Sequence, residues 1–251
     1  MDLDLQGKSA LITGGSKGIG LACAHAFAAE GCHLHLASRD ADRLEKVSRT
    51  LRERHAVRVA IYSADLRDPV ALHALATACA DVEILVNNAG DIPGGTIETI
   101  DDQTWRHAWE LKLFAYINLT REMYVHMKSR GRGTILNIIG MAGEQPSFEY
   151  ICGSAAGGAL IAFTKGMGKG SREHGVRILG LNPASTRTER VMAVMKAASK
   201  AKFGDENRYE DLIRAGVFTK LIEPEQVADA AVFLASPRAG ALSGVTLSLG
   251  A

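Results

Sequence analysis

The chain is close to electroneutral. Among 251 residues, 29 Lys and Arg stand against 28 Asp and Glu, a net charge of +1. It therefore offers no electrostatic case for nucleic acid or for an anionic membrane surface. No apolar run comes near the roughly 18 residues of a membrane-spanning helix. The opening Met1-Asp2-Leu3-Asp4 is acidic and has no apolar signal region. Cysteine is sparse: Cys23, Cys32, Cys79 and Cys152 are scattered and form no CxxC pair. That argues against a disulfide framework and reads as the reduced thiols of a cytoplasmic protein. His33 and His35 alternate on one strand face, but no third ligand accompanies them, so no metal site is expected. Linkers, internal repeats and low-complexity tracts are absent as well.

What is present is an ordinary globular composition, 47% hydrophobic and 23% charged. A folded chain of this size buries about three quarters of the surface it would expose unfolded, enough for one large core. Strand and helix signals alternate throughout. The runs 8–13, 32–37, 57–62, 83–87, 133–139, 176–182 and 245–249 read as strands apolar on both faces, as a helix-covered parallel sheet requires. Between them lie an alanine-rich helix over 18–30, a charged amphipathic helix over 40–54 and a helix opened by Asp68-Pro69. A long helix follows Asp101-Asp102 and runs to about Arg130. The pattern predicts one α/β domain over 1–251: a Rossmann-type, doubly wound parallel sheet of seven strands with helices on both faces. Only 184–223 breaks the rhythm, a strandless stretch of about forty residues holding an amphipathic segment from Glu189 to Phe203. It follows a strand's carboxyl end, where open α/β sheets bind ligands, and reads as a substrate lid. The plainer alternative is a helix pair packed on the core.

Thr13-Gly14-Gly15-Ser16-Lys17-Gly18-Ile19-Gly20 lies between the first strand and the first helix. Its glycines let backbone approach a pyrophosphate, and the helix N-terminus supplies free N–H groups and a positive dipole end. Asp65-Leu66 follows the third strand, and Asn87-Asn88-Ala89-Gly90 ends the fourth. Asn182-Pro183, Thr188 and Leu242-Ser243-Gly244-Val245 come later. In this combination, over essentially its whole length, the chain resembles the short-chain dehydrogenase/reductase family.

The resemblance implies an oxidoreductase whose nicotinamide cofactor is bound by Gly14, Ser16, Lys17, Gly18, Ile19, Gly20, Ser38, Arg39, Asp65, Leu66, Asn87, Ala89, Gly90, Pro183 and Thr188. The glycines would hold the diphosphate and Asp65 would meet the adenine. Asn87 and Gly90 would border the riboses, and Thr188 would hold the nicotinamide carboxamide. Charge selects between the two nicotinamides. An NAD enzyme places a carboxylate at the end of the second strand. Here that end reads Ser38-Arg39, with no acid before Asp40. Arg39 can pair with a 2′-phosphate and Lys17 adds a second cation, so NADP is expected rather than NAD. The alternative is that both are solvated surface charges.

At the catalytic positions the resemblance fails. The family uses an Asn, a Ser, a Tyr and a Lys. Here their positions are occupied by Lys112, Gly140, Gly153 and Gly157. A second register reads Tyr150-Ile151-Cys152-Gly153-Ser154 as YxxxS and requires a three-residue bulge in the following helix. The implied chain is a divergent member with a non-standard site. Its catalytic candidates are Lys112, Tyr150 and Ser154, acting on a small carbonyl or alcohol substrate. Each has a plainer role: a solvated helix lysine, a wall aromatic, an early-turn serine. Cys152 is weighed as a nucleophile and reads as a buried thiol. Glu144 and Gln145 are placed on the substrate side. The alternative function is a dinucleotide-binding protein without standard hydride chemistry, a lyase, isomerase or ligand-binding regulator. Glycines crowd the helix from Gly153 to Gly170. In the family this helix pairs with its copy, so a homo-dimer or tetramer is expected.

Overall fold

The computed structural model describes residues 2–214 and 221–250. Seven parallel strands form one sheet: β1 (Ser9–Thr13), β2 (His33–Ser38), β3 (Val59–Ser63), β4 (Ile84–Asn87), β5 (Gly133–Ile138), β6 (Val176–Pro183) and β7 (Thr246–Leu249). Their order is β3-β2-β1-β4-β5-β6-β7. The chain winds outward from β1 in one direction and then from β4 in the other. That reversal opens a crevice at the carboxyl ends of β1 and β4. Helices α1 (Gly18–Ala29), α2 (Ala41–Arg54), α3 (Pro69–Ala78), α4 (Asp102–Trp109), α5 (Ala115–Ser129), α6 (Ile151–Ser171), α7 (Glu189–Phe203), α8 (Tyr209–Arg214) and α9 (Pro224–Ala235) complete the fold.

Alternate strand residues feed two cores. Ile12, Leu34, Leu36, Val86, Leu136 and Leu181 pack beneath α1, α2 and α9. Leu11, Leu85, Ile135 and Ile178 pack beneath α3 and α5. A chain of buried polar groups joins the central strands. Asn87 Nδ2 donates to Thr120 Oγ1 (3.1 Å) and Asn137 Oδ1 (3.0 Å), and Asn137 Nδ2 donates to Thr164 Oγ1 (2.9 Å). This pins β4 and β5 to α5 and α6 through side chains that are all buried and hydrogen-bonded to one another.

Helix starts follow their caps. Asp40, Asp68 and Asp101 each accept a backbone N–H of the first turn, at 2.9, 2.9 and 2.7 Å. The long helix expected from Asp101 runs from Asp102 to Ser129 without a gap, and a π-helical turn within it, Glu110–Phe114, separates α4 from α5. Such a turn inserts one residue into the helical repeat and is frequent at functional sites. The amphipathic segment of the strandless stretch is α7, with Met195 buried. Residues 215–220 of that stretch lie outside the described residues.

Candidate active site

The glycine-rich turn is built for close backbone approach. Gly14 and Gly18 have φ of +68° and +55°, a region that favours glycine. A Cβ at Gly20 would lie 2.2 Å from the Gly14 carbonyl oxygen. The N-terminus of α1 at Lys17 has no side-chain cap, so its first N–H groups are left to a ligand. Ser16 is buried beneath the turn and Lys17 is exposed beside it. Thr13 and Asn88, which the motif reading passed over as site residues, lock the turn to the end of β4. Thr13 Oγ1 accepts from the backbone N–H groups of Asn88 (2.9 Å) and Ala89 (3.1 Å), and Asn88 Nδ2 donates to the Thr13 carbonyl (3.0 Å).

The other expected cofactor residues follow the carboxyl ends of β2, β3, β4 and β6 or open α1 and α7, and they are engaged to different degrees. Asp65 accepts from Arg67 through both carboxylate oxygens, each at 3.2 Å. Leu66 is buried. The Asn87 side chain turns into the core, so only its backbone faces the crevice. Ser38 Oγ accepts from the Asp40 N–H at 3.3 Å. Arg39 lies 3.9 Å from the Asp91 carboxylate, both well exposed. Ile19 packs against the core under the turn. Pro183 closes β6, and Thr188 caps α7 while its methyl packs over Gly18.

The catalytic candidates lie on three elements around the carboxyl end of β5. Lys112 sits inside the π turn, and its Nζ donates to the Ile138 carbonyl (2.7 Å) and to Tyr116 Oη (3.0 Å). A Cβ at Gly90 would stand 3.7 Å from that Nζ, so the ammonium lies against the end of β4. Burial pushes Lys112 down to about 7, and the charge of Arg190 acts in the same direction. Tyr150 immediately precedes α6. Its ring folds back over Gly153, where a Cβ would lie 2.0 Å from Tyr150 Cε1 and 2.3 Å from Cζ. Burial raises the phenol above the usual tyrosine range, and the facing Arg190 guanidinium opposes that rise. Helix α6 is continuous from Ile151, without the bulge that the YxxxS register requires. Ser154 is buried, and its Oγ accepts from the Ser147 N–H (3.0 Å), fastening the preceding loop.

Gly140 has φ of +118°, and nothing lies within 4 Å of where its Cβ would stand. Gly157 instead meets backbone, since a Cβ there would lie 2.8 Å from Gly143 Cα. Cys152 is buried. Its carbonyl accepts from the Trp109 indole N–H (3.1 Å), and burial raises its thiol. Glu144, expected on the substrate side, turns toward the sheet edge. It accepts from Asn182 Nδ2 (2.7 Å), Thr246 Oγ1 (3.3 Å) and Ser248 Oγ (2.5 Å). His35 Nδ1 pairs with Tyr62 Oη (3.0 Å), and His33 Nδ1 accepts from the Arg58 N–H (3.1 Å). Among the described residues no cluster of three metal-ligating side chains occurs. None of the described helices is long and apolar enough to cross a membrane.

Arg190, in the first turn of α7, was not legible from motifs. Its guanidinium donates to the carbonyls of Gly90 (3.3 Å) and Ile92 and lies 3.9 Å from Asp91. Its charge acts on both Lys112 and Tyr150.

Known proteins of this architecture are numerous. Residues 8–199 match the model of the short chain dehydrogenase family. The chain is 29% identical to 2,3-dihydro-2,3-dihydroxybenzoate dehydrogenase of Bacillus subtilis, over 94% of this chain and 92% of that one. It is 31% identical to galactitol 2-dehydrogenase (L-tagatose-forming) of Cereibacter sphaeroides, over 98% and 94%. The structure of L-sorbose reductase from Gluconobacter frateurii complexed with NADPH and L-sorbose superposes with a TM-score of 0.92, at 32% identity over 99% and 97% of the two chains. Motifs, sheet order and these likenesses agree, and the chain belongs to the short-chain dehydrogenase family.

Proposed function

We propose that this protein is an NADP-dependent oxidoreductase of a small carbonyl or alcohol substrate, with its proton donor moved from position 153 to Tyr150. One observation carries the reading: the Tyr150 ring lies over the position of a first side-chain atom on residue 153. On this reading the phenol that the family's chemistry needs is delivered from one helical turn earlier.

The residues present fit a dinucleotide. The turn is packed so tightly that a Cβ at Gly14 or Gly20 would strike Asn88 or the turn's own backbone, which keeps its main chain bare, and the N-terminus of α1 is uncapped. Gly14, Ser16, Gly18, Ile19 and Gly20 would hold the diphosphate. Lys17, Ser38 and Arg39 would hold the 2′-phosphate, and Asp65 and Leu66 would border the adenine. Ala89, Gly90, Pro183 and Thr188 would border the nicotinamide half, with Asn87 contributing backbone only. The NADPH bound to the sorbose reductase relative supports the choice of nicotinamide. The chemistry that a bound nicotinamide supplies is hydride transfer.

The chain's own part is proton and charge management. Tyr150 Oη gives a proton to the substrate oxygen as alkoxide character develops, and takes it back in the reverse direction. Arg190 supplies positive charge on the side of that oxygen, and Lys112 adds to it when it is protonated. Lys112 near 7 can hold or release a proton at physiological pH. Ser154 supports the arrangement by holding the loop at Ser147. Open space at Gly140 leaves room for the substrate. The α7 region is read as the lid, the exposed side of α6 and the long α4–α5 helix as a self-association face, and the cytoplasm as the compartment.

Turnover of NADPH with a panel of ketones, enones and imines tests the reading, alongside Tyr150→Phe. The expected result is a turnover loss of about 10² or more with NADPH affinity retained. Tight NADPH binding with no turnover anywhere in the panel would favour the second reading, a dinucleotide-binding protein without hydride chemistry. The missing side chains at Gly140 and Gly157 are what keep that reading in view.

A further inference from the structure

Three consecutive residues at the start of α7 reach three different walls of the cofactor crevice. Thr188 packs its methyl over Gly18 of the glycine-rich turn. Glu189 Oε2 accepts from Arg43 Nη1 of α2 at 3.1 Å. Arg190 grips the loop after β4 through the carbonyls of Gly90 and Ile92. The middle tie differs in kind from its neighbours. It is an exposed ion pair, with the Glu189 side chain 71% accessible, and such pairs add little to stability.

Arg43 lies in the first turn of α2, four residues beyond Arg39, at the end of β2 where an adenosine ribose binds. Its other carboxylate neighbour, Asp40, is 3.6 Å away and is already engaged as the cap of α2. Arg39 is likewise loosely paired, 3.9 Å from Asp91. The mouth of the ribose site thus holds two guanidinium groups, each kept by a carboxylate that belongs to the opposite wall of the crevice.

We propose that Arg43 is a second 2′-phosphate ligand and that Glu189 is its built-in competitor. The inference rests on the NADP reading above. A 2′-phosphate offers Arg43 two or more charged acceptor oxygens where Glu189 offers one bond, and Arg–phosphate pairs are among the stronger charge-assisted contacts. The phosphate and the Glu189 carboxylate repel each other, so the group that selects the cofactor also unties α7 from α2. NAD, without that phosphate, leaves the pair intact. Cofactor selection and the tethering of α7 are then one event.

Calorimetric titration of NADP and NAD into the parent, Arg43→Gln and Glu189→Gln tests this without any turnover. Arg43→Gln is expected to weaken NADP about tenfold or more, the usual cost of a hydrogen bond to a charged group, and to leave NAD within twofold. Glu189→Gln is expected to tighten NADP several-fold and leave NAD unchanged. Equal weakening of both cofactors by Arg43→Gln would make Arg43 structural and overturn the inference. So would a Glu189→Gln protein that binds NADP no better than the parent. A parent that binds NAD more tightly than NADP would instead overturn the NADP reading itself.

Discussion

The ring of Tyr150 and the backbone of Gly153 occupy one site between them: a first side-chain atom on residue 153 would fall 2.0 Å from the ring. Glycine at 153 is therefore the condition for tyrosine at 150. Gly153→Ala is expected to expel the ring. It should destabilise the protein by about 1–3 kcal/mol, as overpacking usually does, and reduce turnover as far as Tyr150→Phe. Chemical denaturation and steady-state rates of the two variants check both parts. An alanine variant with parental stability and rate would mean that the ring moves aside at no cost.

On the reading that Gly157 stands at the family's lysine position, a lysine there should rescue nothing. At Gly157 a Cβ meets Gly143 Cα at 2.8 Å, backbone against backbone, and neither can retreat as a flexible side chain would. Gly157→Lys is expected to lower stability by about 1–3 kcal/mol and to leave turnover at or below the parent's. A gain in rate would show that the loop at 141–143 yields.

Lys112 carries a prediction with a definite sign. Its folded value is about 7, below the 10.5 of an ordinary lysine, because burial disfavours the ammonium. Between those two values the unfolded chain binds the extra proton and the folded chain does not. Stability at this residue therefore rises with pH from about 7 to about 10.5 and is lost again as pH falls through 7. Lys112→Met should remove that slope relative to the parent in urea titrations at pH 6.5, 8 and 9. It should also lower turnover by about 10² if the ammonium takes part in the chemistry. A change in stability slope alone would leave Lys112 as a structural residue.

Much of this fold is legible in the sequence. All seven strands lie within about two residues of their expected limits, because apolar runs bounded by glycine and capping residues are local signals. The glycine-rich turn belongs to the same class. What could not be read depends on contacts distant in the chain. Arg43 and Glu189 are 146 positions apart, and Arg190 reaches carbonyls about a hundred residues earlier. Asn87 stands in a motif that suggests a ligand contact, yet its side chain serves Asn137 and Thr120, a pairing that depends on β5 and α5. In the sequence the glycines of α6 suggest self-association. Three of them, Gly153, Gly157 and Gly168, meet Tyr150, Gly143 and Gly244 of the same chain. Only Gly158, Gly166 and Gly170 face open space or nearly so, and they are what remains for a partner.

Arg39→Asp is expected to reverse cofactor preference. The new carboxylate would repel a 2′-phosphate and accept from a 2′-hydroxyl. It would also stand beside Asp91, now the partner of Arg39 at 3.9 Å, so some loss of affinity for both cofactors should accompany the switch. Titration of NADP and NAD against both proteins reads the ratio directly, and an unchanged ratio would place selection on Arg43 and Lys17 instead.

The π turn at Glu110–Phe114 has the character of an insertion held in place by what surrounds it. An α-helix advances about 100° per residue, and the wider π turn takes up its extra residue within itself, so excising one residue would mend the helix with α4 and α5 near their present bearings. What would change is the turn: Lys112, whose Nζ now meets the Ile138 carbonyl and Tyr116 Oη, would lose that placement. Local helix propensity favours the mended form, whereas the placement of Lys112 depends on the flaw. In a lineage of such proteins, a single-codon deletion here would yield a more regular helix with its lysine turned elsewhere.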